Sequence, residues 1–451
     1  MKKASLLKDY LARYAAGHPW KLEAESPKNI AQVVIIPALA EKENIFGTLT
    51  SLAANDPAVL DVTLVICVVN NKADAHVSHR ADNTETLSLL RALLRKEIPA
   101  TAGEWGRKME IISASRLRLA VIDASSPGRE IPGRAGGVGM ARKIGMDAAL
   151  RLPRAGGDDD PPRLLMNLDA DTLVEPNYLS TLLDAFSSRR AHAGVIAYEH
   201  QAAARPALQD AIIIYEIYLR YWVAGLKYAR SPYAFHSIGS TMATTEEAYL
   251  AVRGMNRRSA GEDFYFLNKL AKAGPVRQIT GTKVYPSARV SERVPFGTGA
   301  TVGKMVSLER DAMMFYDPRV FEILRKWLEL VAEASGSSPE RLLARARKIS
   351  PLLAVFLAKR GFEPLWTKII NNAGSSAALL KNFHQWFDGF ETLKLINFLS
   401  REAFPRTGYR QALKGLFESA GAQLPGEPSN GVNPDYVAGP PGARWYGILL
   451  A

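Results

Sequence analysis

Two stretches of strand length set the terms for this chain. Residues 31–37 read AQVVIIP and residues 62–70 read VTLVICVVN, each a nearly unbroken apolar run. A strand that is apolar on both faces must be covered on both, which sheets flanked by helices on either side provide. The flanking sequence supplies those helices. Residues 41–55 carry Ile45, Leu49 and Leu52 at helical spacing, and residues 85–96 form a Leu-rich helix. Residues 109–113 and 119–123 read as further short strands, followed by a helix over 139–150, a strand over 164–168 and a helix over 177–187. The alternation predicts an α/β fold with a mostly parallel sheet and right-handed crossovers.

The 451 residues change character along their length. Residues 1–30 hold one short amphipathic helix, with Leu6, Tyr10 and Tyr14 on one stripe, and a polar link. Residues 31–304 form the strand–helix block. That block includes a long helix near 206–228, whose stripe of Leu208, Ile212, Tyr215, Leu219 and Trp222 reads as core or as an acceptor platform. A strand near 240–244, a helix over 263–273 and strands through 278–289 complete it. Residues 305–424 are expected to be all helical, most clearly over 320–331, 339–348, 380–387 and 392–399. Residues 425–451 are rich in Pro and Gly and read as an irregular tail.

Composition excludes several classes. Apolar residues make up 47% and charged residues 23%, the mix of a globular protein. The net charge of +12 suits a polyanion, an anionic membrane face or a phosphorylated small molecule. No named nucleic-acid motif accompanies it, so a nucleic-acid partner is not expected. Cys67 is the single cysteine, which excludes an intramolecular disulfide and a multi-cysteine metal centre. Lys8 and Asp9 interrupt any signal-peptide core, and no apolar run approaches the ~18–20 residues of a spanning helix. A cytoplasmic protein is expected, with peripheral contact at the inner face of the membrane as a variant.

The chemistry is written in two places. Asn167-Leu168-Asp169-Ala170-Asp171-Thr172 ends an apolar strand in two carboxylates. Side chains two apart on extended chain point the same way, and ligands of open α/β sheets gather at the strands' carboxyl ends. Such a pair repels unless a cation intervenes, and Mg²⁺ or Mn²⁺ fits hard oxygen donors that leave room for phosphates. The plainer reading is a solvated turn. Some ninety residues on, Gly261-Glu262-Asp263 opens an amphipathic helix. Acids there answer the helix dipole; a general base presented at a loop-to-helix junction is the functional alternative. The dipole itself would weaken that base.

Strand one runs into Pro37-Ala38-Leu39-Ala40-Glu41-Lys42-Glu43-Asn44-Ile45, which resembles the opening motif of family-two glycosyltransferases with the GT-A fold. Asp169-Ala170-Asp171 is similar to their Asp-x-Asp, Gly261-Glu262-Asp263 to their Glu-Asp motif, and Gly139-Met140-Ala141-Arg142-Lys143-Ile144-Gly145 to their small-residue helix. Order and spacing agree over residues 31–300. The resemblance implies a Rossmann-like GT-A domain that passes a sugar from a nucleoside-diphosphate sugar to an acceptor hydroxyl with inversion. It implies that Pro37, Ala38, Glu41, Asn70 and Arg142 bind the nucleotide sugar. Asp169 lies by ribose and metal, Asp171 holds the metal, and Asp263 is the base with Glu262 beside it. Strand two departs from the family: it ends Val69-Asn70-Asn71 instead of Val-Asp-Asp, which leaves the nucleobase open. The Gln-x-x-Arg-Trp motif of processive members is absent, so single transfers are expected.

Charge building on the leaving diphosphate calls for cations, and Arg289 and Arg293 share a side if 287–293 is extended. Glycines in 295–299 could bring backbone N–H groups to a phosphate. His200 and His236 are further candidates for acceptor or metal contact, against the plain reading of packed side chains. The Gly- and Pro-rich loop 125–138, with Arg129 and Arg134, reads as a lid or a connector, and Asp158–Asp160 as a solvated turn. Arg341, Arg345, Arg347 and Lys348 form a solvated face or, with Trp327, Trp366 and Trp386 nearby, dock anionic lipid or a lipid-linked acceptor. Two rivals remain. A sugar-1-phosphate nucleotidyltransferase would need a glycine-rich loop after strand one, where Ala38-Leu39-Ala40-Glu41 stands. A non-catalytic sugar-nucleotide-binding module would keep the pocket without transfer.

Overall fold

The computed structural model describes residues 3–17, 19–24, 28–98, 105–133, 137–153, 162–187, 191–258, 261–290, 301–303, 313–334 and 336–421. The chain forms two compact units, Met1–Ala203 with Ser237–Ala300, and Ala204–His236 with Thr301–Ala451. In chain order the elements are α1 (Lys3–Arg13), β1 (Leu22–Glu23), β2 (Gln32–Ala38), α2 (Lys42–Ala53), α3 (Pro57–Leu60), β3 (Thr63–Asn70), α4 (Val77–Leu94) and α5 (Gly106–Ala114). Next come β4 (Arg118–Ala124), α6 (Val138–Ala149), β5 (Leu164–Asn167), β6 (Leu173–Val174), α7 (Tyr178–Ser187) and β7 (Ala193–Tyr198). The long helix α8 (Pro206–Tyr228) belongs to the second unit, and β8 (Met242–Thr245), α9 (Glu246–Ala251), α10 (Glu262–Ala273) and β9 (Val276–Tyr285) return to the first.

The sheet of the first unit has the order β1-β4-β3-β2-β5-β8-β7-β9-β6. Strands β4, β3, β2 and β5 are parallel neighbours, as the apolar runs require, and every residue of β2, β3 and β5 is buried. The other half is mixed. β8 runs antiparallel to both β5 and β7, β7 and β9 are parallel, and β1 and β6 are short antiparallel edges. A mostly parallel sheet thus holds for the half built from the two long apolar strands. The second half departs from it because β8 enters against β5. Residues 109–113, expected as a strand, lie inside α5. Its apolar residues Met109 and Ile112 are buried at i, i+3 spacing while Ile111 is exposed, a pattern that five residues cannot separate from a strand. The strand β7 was not anticipated.

Register aligns the carboxyl ends of the parallel strands: Ala38 pairs with Val69, Val69 with Asp123, and Ile35 with Asn167. Helix α6 lies close on this sheet, where a Cβ at Gly145 would come within 2.5 Å of Ile35 Cγ2 and 3.1 Å of Val68 Cγ2. Small residues are what permit that approach. The far turn of α6 anchors the N-terminal segment. Asp147 accepts the Tyr10 and Tyr249 hydroxyls, each at 2.7 Å, and the Ala16 N–H at 2.6 Å, while Lys143 Nζ pairs with it at 3.0 Å.

In the second unit α8 joins α11 (Arg319–Ala332), α12 (Pro339–Ile349), α13 (Pro351–Lys359), α14 (Phe362–Asn371), α15 (Ser376–Trp386), α16 (Gly389–Glu402) and α17 (Tyr409–Ser419). Trp222, the last member of the α8 stripe, packs on Tyr316 and Phe321 with ring centroids 5.4 and 6.0 Å apart, so that end of the stripe serves the core. Trp327 and Trp366 are fully buried, which removes them from any docking face, and Trp327 meets the rings of Phe362 and Phe383. No helix among the described residues is long and apolar enough to cross a membrane.

Candidate active site

The rim of the parallel strands gathers most of the residues singled out from sequence. Pro37 and Ala38 end β2, and Asn70 ends β3; all three are buried. Asn70 Oδ1 has no hydrogen-bond partner among the described residues, leaving a buried acceptor at the strand end. Beyond β5 the chain turns at Asp169–Asp171, held by Thr48 Oγ1 donating to the Ala170 carbonyl (2.9 Å) and Gln201 Nε2 donating to that of Asp171 (2.8 Å).

Two arginines organise the acids. Arg142, in the first turns of α6, pairs with both Asp169 and Glu262. It is almost wholly buried, and a Cβ at Gly239 would collide with its guanidinium, so glycine makes the room. Burial opposes the Arg142 charge, but Asp169, Glu262 and Asp263 outweigh it and hold its pKa above the ordinary value. Arg289 pairs with Glu41 and, at 2.7 Å, with Asp171. Burial again opposes the charge, and Asp171 and Glu41 again prevail. The paired aspartates therefore face different guanidinium groups.

Glu262 and Asp263 open α10 behind Gly261, whose φ of 69° is a left-handed conformation that glycine adopts freely. Asp263 Oδ1 accepts the Phe264 N–H at 2.7 Å. Burial, and then the Glu262 charge, push the Asp263 carboxyl up to about 7; Arg142 only moderates this. Burial also raises Glu262, again against the pull of Arg142. The helix dipole, expected to weaken this base, is outweighed by the loss of water around two adjoining acids.

Among the described residues no group of three or more His, Cys, Asp or Glu is placed to hold a metal ion. A closed protein-only metal site therefore does not fit. An open one does: Asp169 and Asp171 are hard, partly exposed donors, and a hard cation there would draw its other ligands from phosphate oxygens. Thr172 Oγ1, next in the chain to Asp171, and Nε of Arg142, which pairs with Asp169, are buried without a partner among the described residues.

Other candidates fall elsewhere. His200 is buried edge-on against Tyr198, next to Gln201. His236 belongs to the second unit, where burial and then Arg220 and Lys227 hold its pKa down to about 3, so it is neutral. Arg293, Arg134, Asp158–Asp160, the glycines of 295–299 and the tail 425–451 lie outside the described residues. Sequence reading missed Asp82, Asn83, Gln201 and Gly239, which touch the rim from elements with no motif of their own.

Residues 164–328 match the family model for glycosyl transferase family group 2. The segment includes Asp169, Asp171, Glu262, Asp263 and Arg289, while Glu41 and Arg142 lie upstream of it. Solved structures with partial likeness include S. aureus TarS 1–349 in complex with UDP-GlcNAc, 13% identical over 78% of this chain and 89% of that one, at a TM-score of 0.38. The mannosyltransferase PcManGT from Pyrobaculum calidifontis, in complex with GDP-Man and Mn²⁺, is 14% identical over 92% and 95% at 0.37. Glucosyl-3-phosphoglycerate synthase from Mycobacterium tuberculosis is 15% identical over 61% and 74% at 0.32. No curated protein matches the chain. The chemistry of the site accordingly rests on its own geometry.

Proposed function

We propose that this protein is an inverting, non-processive glycosyltransferase of the GT-A type, taking a nucleoside-diphosphate sugar as donor and a hydroxyl compound as acceptor. One observation carries the reading: Arg142 and Arg289 gather Asp169, Asp171, Glu262 and Asp263 at the rim, where burial raises the Asp263 carboxyl to about 7. A base of that strength holds its proton loosely enough to be free near neutrality and tightly enough to take one from an alcohol in the transition state.

In the proposed step the acceptor oxygen attacks the anomeric carbon as its proton passes to the Asp263 carboxylate. The bond from that carbon to the diphosphate oxygen breaks, and the electron pair leaves with the nucleoside diphosphate. One displacement inverts the centre. Asp169 and Asp171 are the residues that would hold Mg²⁺ or Mn²⁺, which when bound would neutralise charge on the leaving diphosphate. Arg289, which pairs with Asp171, would add positive charge, and Pro37, Ala38, Glu41 and Asn70 would form the nucleotide end. Arg142 keeps Asp169 and Glu262 apart in charge and together in space.

The test is donor hydrolysis or transfer with UDP-, GDP- and dTDP-sugars plus Mn²⁺, in wild type and Asp263→Asn. Turnover in the wild type and its loss in the variant, with nucleotide binding retained, is expected. Equal turnover in both would remove Asp263 as base.

A further inference from the structure

The loop after β2 holds a feature that the motifs do not explain. Ala40 has a φ of 52°, a left-handed conformation that disfavours any residue with a Cβ and persists only where its surroundings impose it. The imposing partner is on α4. Asn83, 1% exposed, accepts the Ala40 N–H at Oδ1 (2.9 Å). Its Nδ2 donates to the Asn70 carbonyl (3.1 Å) and to Asn71 Oδ1 (2.8 Å), so both amide hydrogens are engaged. The same turn of α4 supplies Asp82, whose Oδ1 accepts the N–H of Lys42, the first residue of α2, at 3.2 Å. Glu41 occupies the N-cap of α2 but makes no side-chain cap bond. Its carboxylate instead accepts from Asn44 Nδ2 (2.9 Å) and pairs with Arg289.

The loop is therefore held from outside, and the capping that Asp82 provides leaves Glu41 for the rim. We propose that Asn83 is a positioning residue for the donor pocket: by pinning Ala40 to the end of β3 it sets Glu41 against Arg289, and through Arg289 against Asp171. This rests on the reading that the rim binds a nucleotide sugar. Asn83 acts through the loop and need not touch substrate.

The experiment uses the full chain and its Asn83→Ala, Ala40→Gly and double variants. Calorimetric titration with UDP and GDP in Mn²⁺ gives affinity, and amide hydrogen exchange reports on Ala40 and Lys42. Asn83→Ala is expected to speed exchange at Ala40 at least about tenfold. Nucleotide Kd should rise about tenfold, equivalent to about 1.4 kcal/mol, with kcat moving less. Ala40→Gly in that background should restore most of the affinity, because glycine takes the left-handed turn without Asn83. A merely structural role would show no such rescue. Asn83→Asp, which keeps the acceptor for Ala40 and loses both donors, should weaken binding about threefold and covers the case in which Asn83→Ala fails to fold. Unchanged Kd and exchange in the folded variants, with the wild type binding nucleotide, would overturn this inference alone. A wild type that binds neither nucleotide would instead overturn the donor reading and this one with it.

Discussion

Arg142 and Arg289 invite comparison because they are built alike and placed differently. Each spans two acids, one from the Asp169–Asp171 turn and one from a motif far off in sequence, Glu262 or Glu41. The Arg142 side chain is 3% exposed and that of Arg289 is 31% exposed. A sealed guanidinium cannot let go of its carboxylates without leaving unpaired charge in a dry interior. A half-open one can exchange a carboxylate for a phosphate, with water to ease the change. The sealed arginine is thus suited to hold the acids in place, and the open one to meet a ligand.

The sharpest way to separate the two sides lies with the base. Asp263→Asn, on the Arg142 side, is expected to cut turnover by about 10²–10⁴-fold, and in the wild type turnover should fall below about pH 7 as Asp263 takes its proton. A flat pH profile from 5 to 8 would break the assignment. Arg142→Met should destabilise the fold by about 3–5 kcal/mol in urea unfolding, since three acids lose their buried counter-charge; a midpoint near that of the wild type would erase the contrast. Gly239→Ala should cost about 1–3 kcal/mol by pushing on the same guanidinium. Arg289→Ala should cost no more than about 1 kcal/mol in the same assay while weakening nucleotide binding. A stability loss as large as that of Arg142→Met would make the two arginines equivalent.

The smallest effect concerns stability against pH. Asp263 binds its proton more tightly folded than unfolded, so it subtracts stability as pH rises from the ordinary carboxylate range and does so fully above about 7. Asp263→Asn should therefore melt a few degrees higher than the wild type at pH 8. The gap should close near pH 4. A gap that widens toward acid would reverse the sign and refute the raised pKa.

What could be seen in the sequence follows from range. The apolar runs of β2 and β3 declare buried parallel strands because every residue contributes the same signal. Asp169 and Asp171 are visible as a pair, but their division between two arginines is not, since Arg289 and Glu41 stand 248 positions apart in the chain. The raised pKa of Asp263 depends on water exclusion, which no local pattern records. Asn83 lies in a polar stretch of α4 that reads as surface, and only its contacts reveal it. β7 was overlooked because Ala193 and Gly194 dilute a short strand.

The Tyr10–Asp147–Tyr249 junction has a practical corollary. Asp147 and Lys143 sit on the same helix as Arg142, one turn and one residue away from it, and their buried charges are satisfied in part by the N-terminal segment. Trimming residues 1–17 to tidy an expression clone would strip two donors from Asp147 and open the back of that helix to solvent. A shortened version chosen for crystallisation would then be expected to unfold more easily, with Asp169, Asp171 and Asp263 themselves unchanged.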